Sequence, residues 1–271
     1  MLTRQLLLDT DEIKVVDVTC SPEGSSWSPP EASSAHSIVF VRQGCFRRRA
    51  VGAESVIDAA VVYFERPGDE QEIAHPVAGG DACTAVWFSD ELLASMSGGA
   101  PALPAAPAFT GPDIDLAHRL LVSHCRGESD PFEGSERVVV LAASVLERAG
   151  QPGVDSGRPA TDAARRRAVE DTREALATDQ SLSLVDLART VAVSPHHLSR
   201  IFRARTGATV SRYRNRLRVR AALERLAAGE SDLATLAADL RFADHAHLVR
   251  TVRREVGTTP SALRALLART N

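Results

Sequence analysis

Two short stretches carry side chains at a spacing suited to reading the edge of a nucleic-acid base. In the first, His196, Ser199, Arg200 and Arg203 recur at intervals of three and four, which gathers them on one side of an α-helix. In the second, His245, Ala246, Val249 and Arg250 do the same. An arginine on such a face can donate to guanine O6 and N7 together in a major groove. A helix N-terminus adds partial positive charge toward phosphate.

Each face needs a scaffold, and the flanking residues supply one twice. Leu184, Leu187, Ala188 and Val191 form one apolar stripe, and Val193 fills the turn after it. Ser194 can cap the next helix, Pro195 suits its first position, and Leu198, Ile201 and Phe202 turn inward. The second unit repeats this with Leu233, Leu236, Ala237 and Leu240, Phe242 in the turn, Asp244 as cap, and Leu248 and Val252 inside. Between them Val210 to Ala228 reads as a long helix with Val219, Ala222, Leu223 and Leu226 buried. At the usual rise it would span about 28 Å, close to the ~34 Å turn of a DNA duplex. Arg212, Arg214, Arg216, Arg218 and Arg220 alternate along it and cannot share one face; most are expected to be solvated or paired with acids such as Glu224.

The charge balance fits a polyanion partner for this half alone. Residues 161–271 hold 20 Arg against 12 Asp+Glu, whereas residues 1–160 hold 12 Lys+Arg against 23 Asp+Glu. A basic tail domain on an acidic partner is the pattern of a nucleic-acid reader with a second task. Lys14 is the sole lysine, so a GC-rich coding bias accounts for arginine richness as such.

The 271-residue chain has room for two domains. Residues from about 12 to 110 read as β. The segments 14–18, 37–41 and 59–64 are rich in β-branched and aromatic residues, with turns at Ser21–Gly24, Pro67–Asp69 and Gly79–Asp81. Amphipathic helices follow at about 113–125 and 134–148, then a Gly/Pro linker at 150–159. Thr161 and Asp162 are expected to cap the helical remainder. Four scattered cysteines without a CxxC pair fit reduced thiols in a cytoplasmic protein. No leader or long apolar run is apparent, so no membrane association is expected.

Residues 165–268 resemble the DNA-binding domain of the AraC/XylS family of transcription regulators. The resemblance is carried by Leu187-Ala188, Ser194 to Phe202, Thr206-Gly207, Arg216-Leu217-Arg218 and Gly257-Thr258-Thr259-Pro260. It implies a multidomain α+β protein. A cupin-like, effector-sensing β-barrel would occupy residues 1–111 and a helical dimerisation segment 112–150. After a linker at 151–161, an all-α domain at 162–271 would hold two helix-turn-helix units joined by a long helix.

By the same resemblance, His196, Ser199, Arg200, His245, Ala246, Val249 and Arg250 read bases, and Arg189, Arg203, Arg212, Thr259 and Arg264 contact the DNA backbone. Double-stranded DNA, RNA polymerase, an unknown small-molecule effector and a second copy are the implied partners, with activation the usual mode. The second unit departs from the family: Arg241 replaces a usual glycine, Ala246 a common serine, and Leu248, Val252 and Leu263 replace aromatics. Because Ala246 and Val249 cannot hydrogen-bond a base edge, the second unit is expected to read less specifically.

Pro67 to Pro76 and Arg42 to Phe46 resemble barrel turns. Catalysis is not expected: the His-x-His pair of metal-dependent cupins is missing from residues 1–111, whose only histidines are His36 and His75. No cofactor is expected either. A metal- or redox-sensing site built from His75 with Cys20, Cys45 or Cys83 is the alternative, against small buried thiols and a surface histidine. His196-His197 and His245-Ala246-His247 lack the helical spacing that lets metal ligands share a face.

Overall fold

The computed structural model describes residues 1–22, 24–127, 130–150 and 159–268. The first half is built from short strands: β1 (Leu2–Asp9), β2 (Ile13–Cys20), β3 (Glu31–Ala32), β4 (His36–Gln43), β5 (Cys45–Ala50), β6 (Ala53–Asp58), β7 (Val61–Glu65), β8 (Glu70–Ala74) and β9 (Asp81–Phe88). Helix α1 (Asp90–Ser97), β10 (Ala108–Phe109), α2 (Pro112–Arg126) and α3 (Pro131–Ala149) complete it. The strands form two antiparallel sheets, ordered β1-β2-β9-β4-β7-β10 and β3-β8-β5-β6.

Apolar residues on alternate strand positions fill the space between the sheets. Val39, Val41, Cys83 and Ala85 of one meet Phe46 and Ile57 of the other. The opposite face of the larger sheet, with Val15, Ile38, Phe40 and Val86, is covered by Leu121, Val138, Leu141 and Val145 from α2 and α3. Strand β1 lies ahead of the region expected to be β. Its Leu6-Leu7-Leu8 run hides the alternation, and the register shifts between Leu6 and Leu8.

The second half is all helical: α4 (Pro159–Thr178), α5 (Leu184–Thr190), α6 (Pro195–Thr206), α7 (Val210–Ala227), α8 (Leu233–Asp239), α9 (His245–Val256) and α10 (Pro260–Ala268). Because α4 starts at Pro159, Thr161 and Asp162 lie within its first turn instead of capping it; Asp162 pairs with Arg166 at 3.3 Å. The expected linker lies, apart from its ends, outside the described residues.

Each half has apolar clusters of its own, and the two halves also pack against each other. Ala60 and Phe109 of the first half pack with Leu187, Phe202 and Tyr213. Leu116 and Leu120 of α2 pack with Leu223, Leu248 and Leu263. Helix α2 is apolar on two sides and serves both cores. Among the described residues no helix is long and apolar enough to cross a membrane.

Candidate nucleic-acid interface

Helix α6 starts where Ser194 accepts a hydrogen bond from the His197 N–H, with Pro195 next in line, and ends at left-handed Gly207. Helix α9 starts where Asp244 accepts from the His247 N–H and ends at left-handed Gly257. Leu198, Phe202, Leu248 and Val252 are fully buried, which fixes the rotation of both helices. His196, Arg200, His245, Ala246 and Arg250 are consequently exposed, with Ser199 and Val249 half-buried beside them. Arg200 lies 3.3 Å from His197 Nδ1. His247 instead accepts from the Ala243 N–H and packs edge-on against Phe242.

Two units with equivalent caps, turns and outward faces, joined by one helix, make a tandem repeat. Residues 187–266 match the helix-turn-helix domain family. The C-terminal domain is an AraC-type helix-turn-helix domain. No curated protein matches the chain in sequence. Among solved structures, wild-type ToxT of Vibrio cholerae strain SCE256 with an unsaturated fatty acid is 9% identical, covering 95% of this chain and 96% of that chain, TM-score 0.39. ToxT of Vibrio cholerae O395 bound to (E)-4-(8-methylnaphthalen-1-yl)but-3-enoic acid is 10% identical over 95% of this chain and 100% of that chain, TM-score 0.37. An RmlC-like cupin from Shewanella frigidimarina NCIMB 400 is 20% identical over 32% of this chain and 75% of that chain, TM-score 0.28.

The AraC-type domain places the candidate backbone contacts unevenly. Arg203 is exposed, and so is Arg189, which pairs with Asp186 at 2.9 Å. Arg212 lies 3.7 Å from the buried Glu255. Thr259 accepts from the Ala262 N–H at the start of α10, and Arg264 donates to the Ser231 carbonyl.

Arginines of α7 do meet acids, as expected, but other acids than Glu224: Arg216 joins Arg212 at Glu255, at 3.6 Å. Arg214 donates to the Leu182 carbonyl and Arg218 to Gln180. Arg220 is buried and reaches across to the first half, to Thr110 Oγ1 at 2.9 Å and Asp115 at 2.6 Å. Glu224 takes Arg42 at 3.0 Å and Arg119, both from the first half. Next to these, the Tyr213 hydroxyl donates to Asp58 at 2.5 Å, and Arg173 donates to that hydroxyl at 2.8 Å. Burial would lower the Arg173 pKa, but Asp58, Tyr213 and Glu170 outweigh it and hold the guanidinium charged. The AraC-type domain is thus seated on the barrel through buried ion pairs, which demand defined geometry because each partner alone is costly to bury.

Inside the barrel a cavity of about 830 Å³ is lined by Trp27, Phe46, Tyr63 and Trp87 with Glu65 and Gln71, a size ordinary for small-molecule sites. Of the four residues considered for metal or redox sensing, three line it: Cys20, His75 and Cys83. Cys45 does not: it is buried on β5 beside Phe46, which takes the cavity side, and neighbouring strand residues face opposite ways. Asp81, which sequence reasoning missed, lies among the three. His75 Nε2 is 2.7 Å from its Oδ2, and the Cys83 thiol donates to its Oδ1 at 3.3 Å. Burial, then Asp81, pushes both the Cys20 and the Cys83 thiol up.

Proposed function

We propose that this protein is a sequence-specific DNA-binding transcription regulator whose barrel binds a small effector. The exposed faces of α6 and α9, held on either side of α7, carry this reading. At 18 residues that helix is about 27 Å long, which suits recognition helices placed in successive major grooves. His196, Ser199 and Arg200 read bases from α6; His245, Ala246, Val249 and Arg250 contact them from α9. The aromatic-walled cavity receives the effector, and the chain acts as a homodimeric activator through contact with RNA polymerase.

Selection of binding sites from random duplex DNA with the full chain tests this. An enriched motif with two parts about one helical turn apart is expected. Uniform retention of random sequence would reject it.

A further inference from the structure

Cys20 closes β2 and Asp81 opens β9, and the two stand opposite each other in the antiparallel register. Cys83 lies two positions along β9 on the same face. Two glycines hold this end of the sheet unusually close. At Gly80, with φ at +70°, any side chain would collide with the Cys20 carbonyl oxygen. At Gly44, with φ at +93°, it would collide with the Gly80 carbonyl and the Asp81 backbone. His75, just beyond β8, swings its ring onto Asp81 from the other sheet. One donor atom each from Cys20, His75 and Asp81 lies within 4.8 Å of the others.

We propose that Cys20, His75 and Asp81, with Cys83 as fourth donor, form a binding site for a soft divalent cation of the zinc class in the wall of the barrel cavity. The donor chemistry selects the ion. Two sulfurs and an imidazole with one carboxylate suit zinc or its neighbours, whereas calcium and magnesium take oxygen alone. For three of the donors the spacing is close to what such an ion needs. Tetrahedral ligands at roughly 2.0–2.3 Å from zinc stand about 3.3–3.8 Å apart, so rotations of about an ångström bring Cys20, His75 and Asp81 into range, while Cys83, held to Asp81 Oδ1 at 3.3 Å, must turn further to close the shell. His75 exchanges its hydrogen bond to Asp81 for the ion, and each thiol releases a proton as it binds. The set shares no His-x-His pair with metal-dependent cupins: Cys20 and Asp81 meet through strand register, and His75 joins them from the facing sheet.

Cobalt titration of the reduced full-length chain tests the site, because thiolate-to-cobalt absorption reports sulfur ligation directly. One saturating equivalent with near-ultraviolet charge-transfer bands is expected, displaced by zinc. Cys20→Ser and His75→Ala should each weaken binding tenfold or more, as loss of even a supporting group does. Cys45→Ser and Cys125→Ser should leave it unchanged. A cobalt complex without sulfur bands, or one that survives Cys20→Ser, overturns the assignment. Alkylation of the unaltered protein guards against misfolded variants: zinc should protect the partly exposed Cys20 but not Cys125, and equal labelling of Cys20 with and without zinc also overturns it. The site is independent of the DNA reading, which a negative result would leave standing.

Discussion

Ala192 and Arg241 hold the same left-handed backbone position, φ 54° and 57°, one in each helix-turn-helix turn. The hydrogen bonds around them match as well. Ala192 and Val193 donate to the carbonyls of Arg189 and Ala188, and Arg241 and Phe242 donate to those of Ala238 and Ala237. A side chain in that conformation costs about 1–2 kcal/mol, which is why glycine suits it. Arg241 recovers part of this through its pair with Asp179 at 3.2 Å.

Ala192→Gly should therefore stabilise the protein by about 0.5–1 kcal/mol, the relief of strain exceeding the extra freedom of the unfolded chain. Arg241→Gly should gain less, since it also forfeits the Asp179 pair. Urea unfolding measures both, and a loss of stability in Ala192→Gly would show that no strain is stored there.

Arg200→Ala should cost about 1–3 kcal/mol on the selected sequence and spare binding to random DNA. Equal losses on both, read by fluorescence anisotropy, would reduce Arg200 to a phosphate contact. Arg250→Ala should cost specificity at its own half-site, where its neighbours Ala246 and Val249 have no hydrogen bond to offer. If site selection returns equal information at both halves, the asymmetry is refuted.

Asp58 anchors the contact between the halves. Asp58→Ala would leave Arg173, 2% exposed, with Glu170 at 2.8 Å as its remaining acid, and should destabilise the chain by about 3–5 kcal/mol. Tyr213→Phe, which removes a hydrogen bond to a charged group, should cost about 1.5–3 kcal/mol. In the double variant the two losses should not add; strict additivity in denaturant unfolding would mean that the pair is not coupled.

His118 gives the fold a pH dependence of definite sign. Its ring is buried and stacks on Phe40, with centroids 4.5 Å apart. Burial, followed by Arg119 and Arg42, holds its pKa well below 6.5. Just below that pH the unfolded chain binds a proton that the folded chain does not, so stability falls as pH falls. His118→Phe keeps the stacking and should flatten the slope between about pH 6.5 and 5. An unchanged slope in thermal melts would assign it to other groups.

The helical half was readable because its signals are local. Caps such as Ser194 and Asp244, and stripes such as Leu233, Leu236 and Ala237, announce a helix within one or two turns. The barrel's inner face was readable only in part: Cys20, His75 and Cys83 stood out by residue type, but Asp81 joins them through strand register with Cys20 and sheet packing against His75, which no local spacing encodes. The same holds for Asp58 and Tyr213, separated by 155 positions. For Arg220 an acid partner was among the expectations, but that the acid is Asp115 of α2, at 2.6 Å across the interface, is nothing an alternating arginine run announces.

Helix α7 is held by the first half at Tyr213, Arg220 and Glu224, anchors spread over about 16 Å of its axis. A rod gripped at that many points has no swivel.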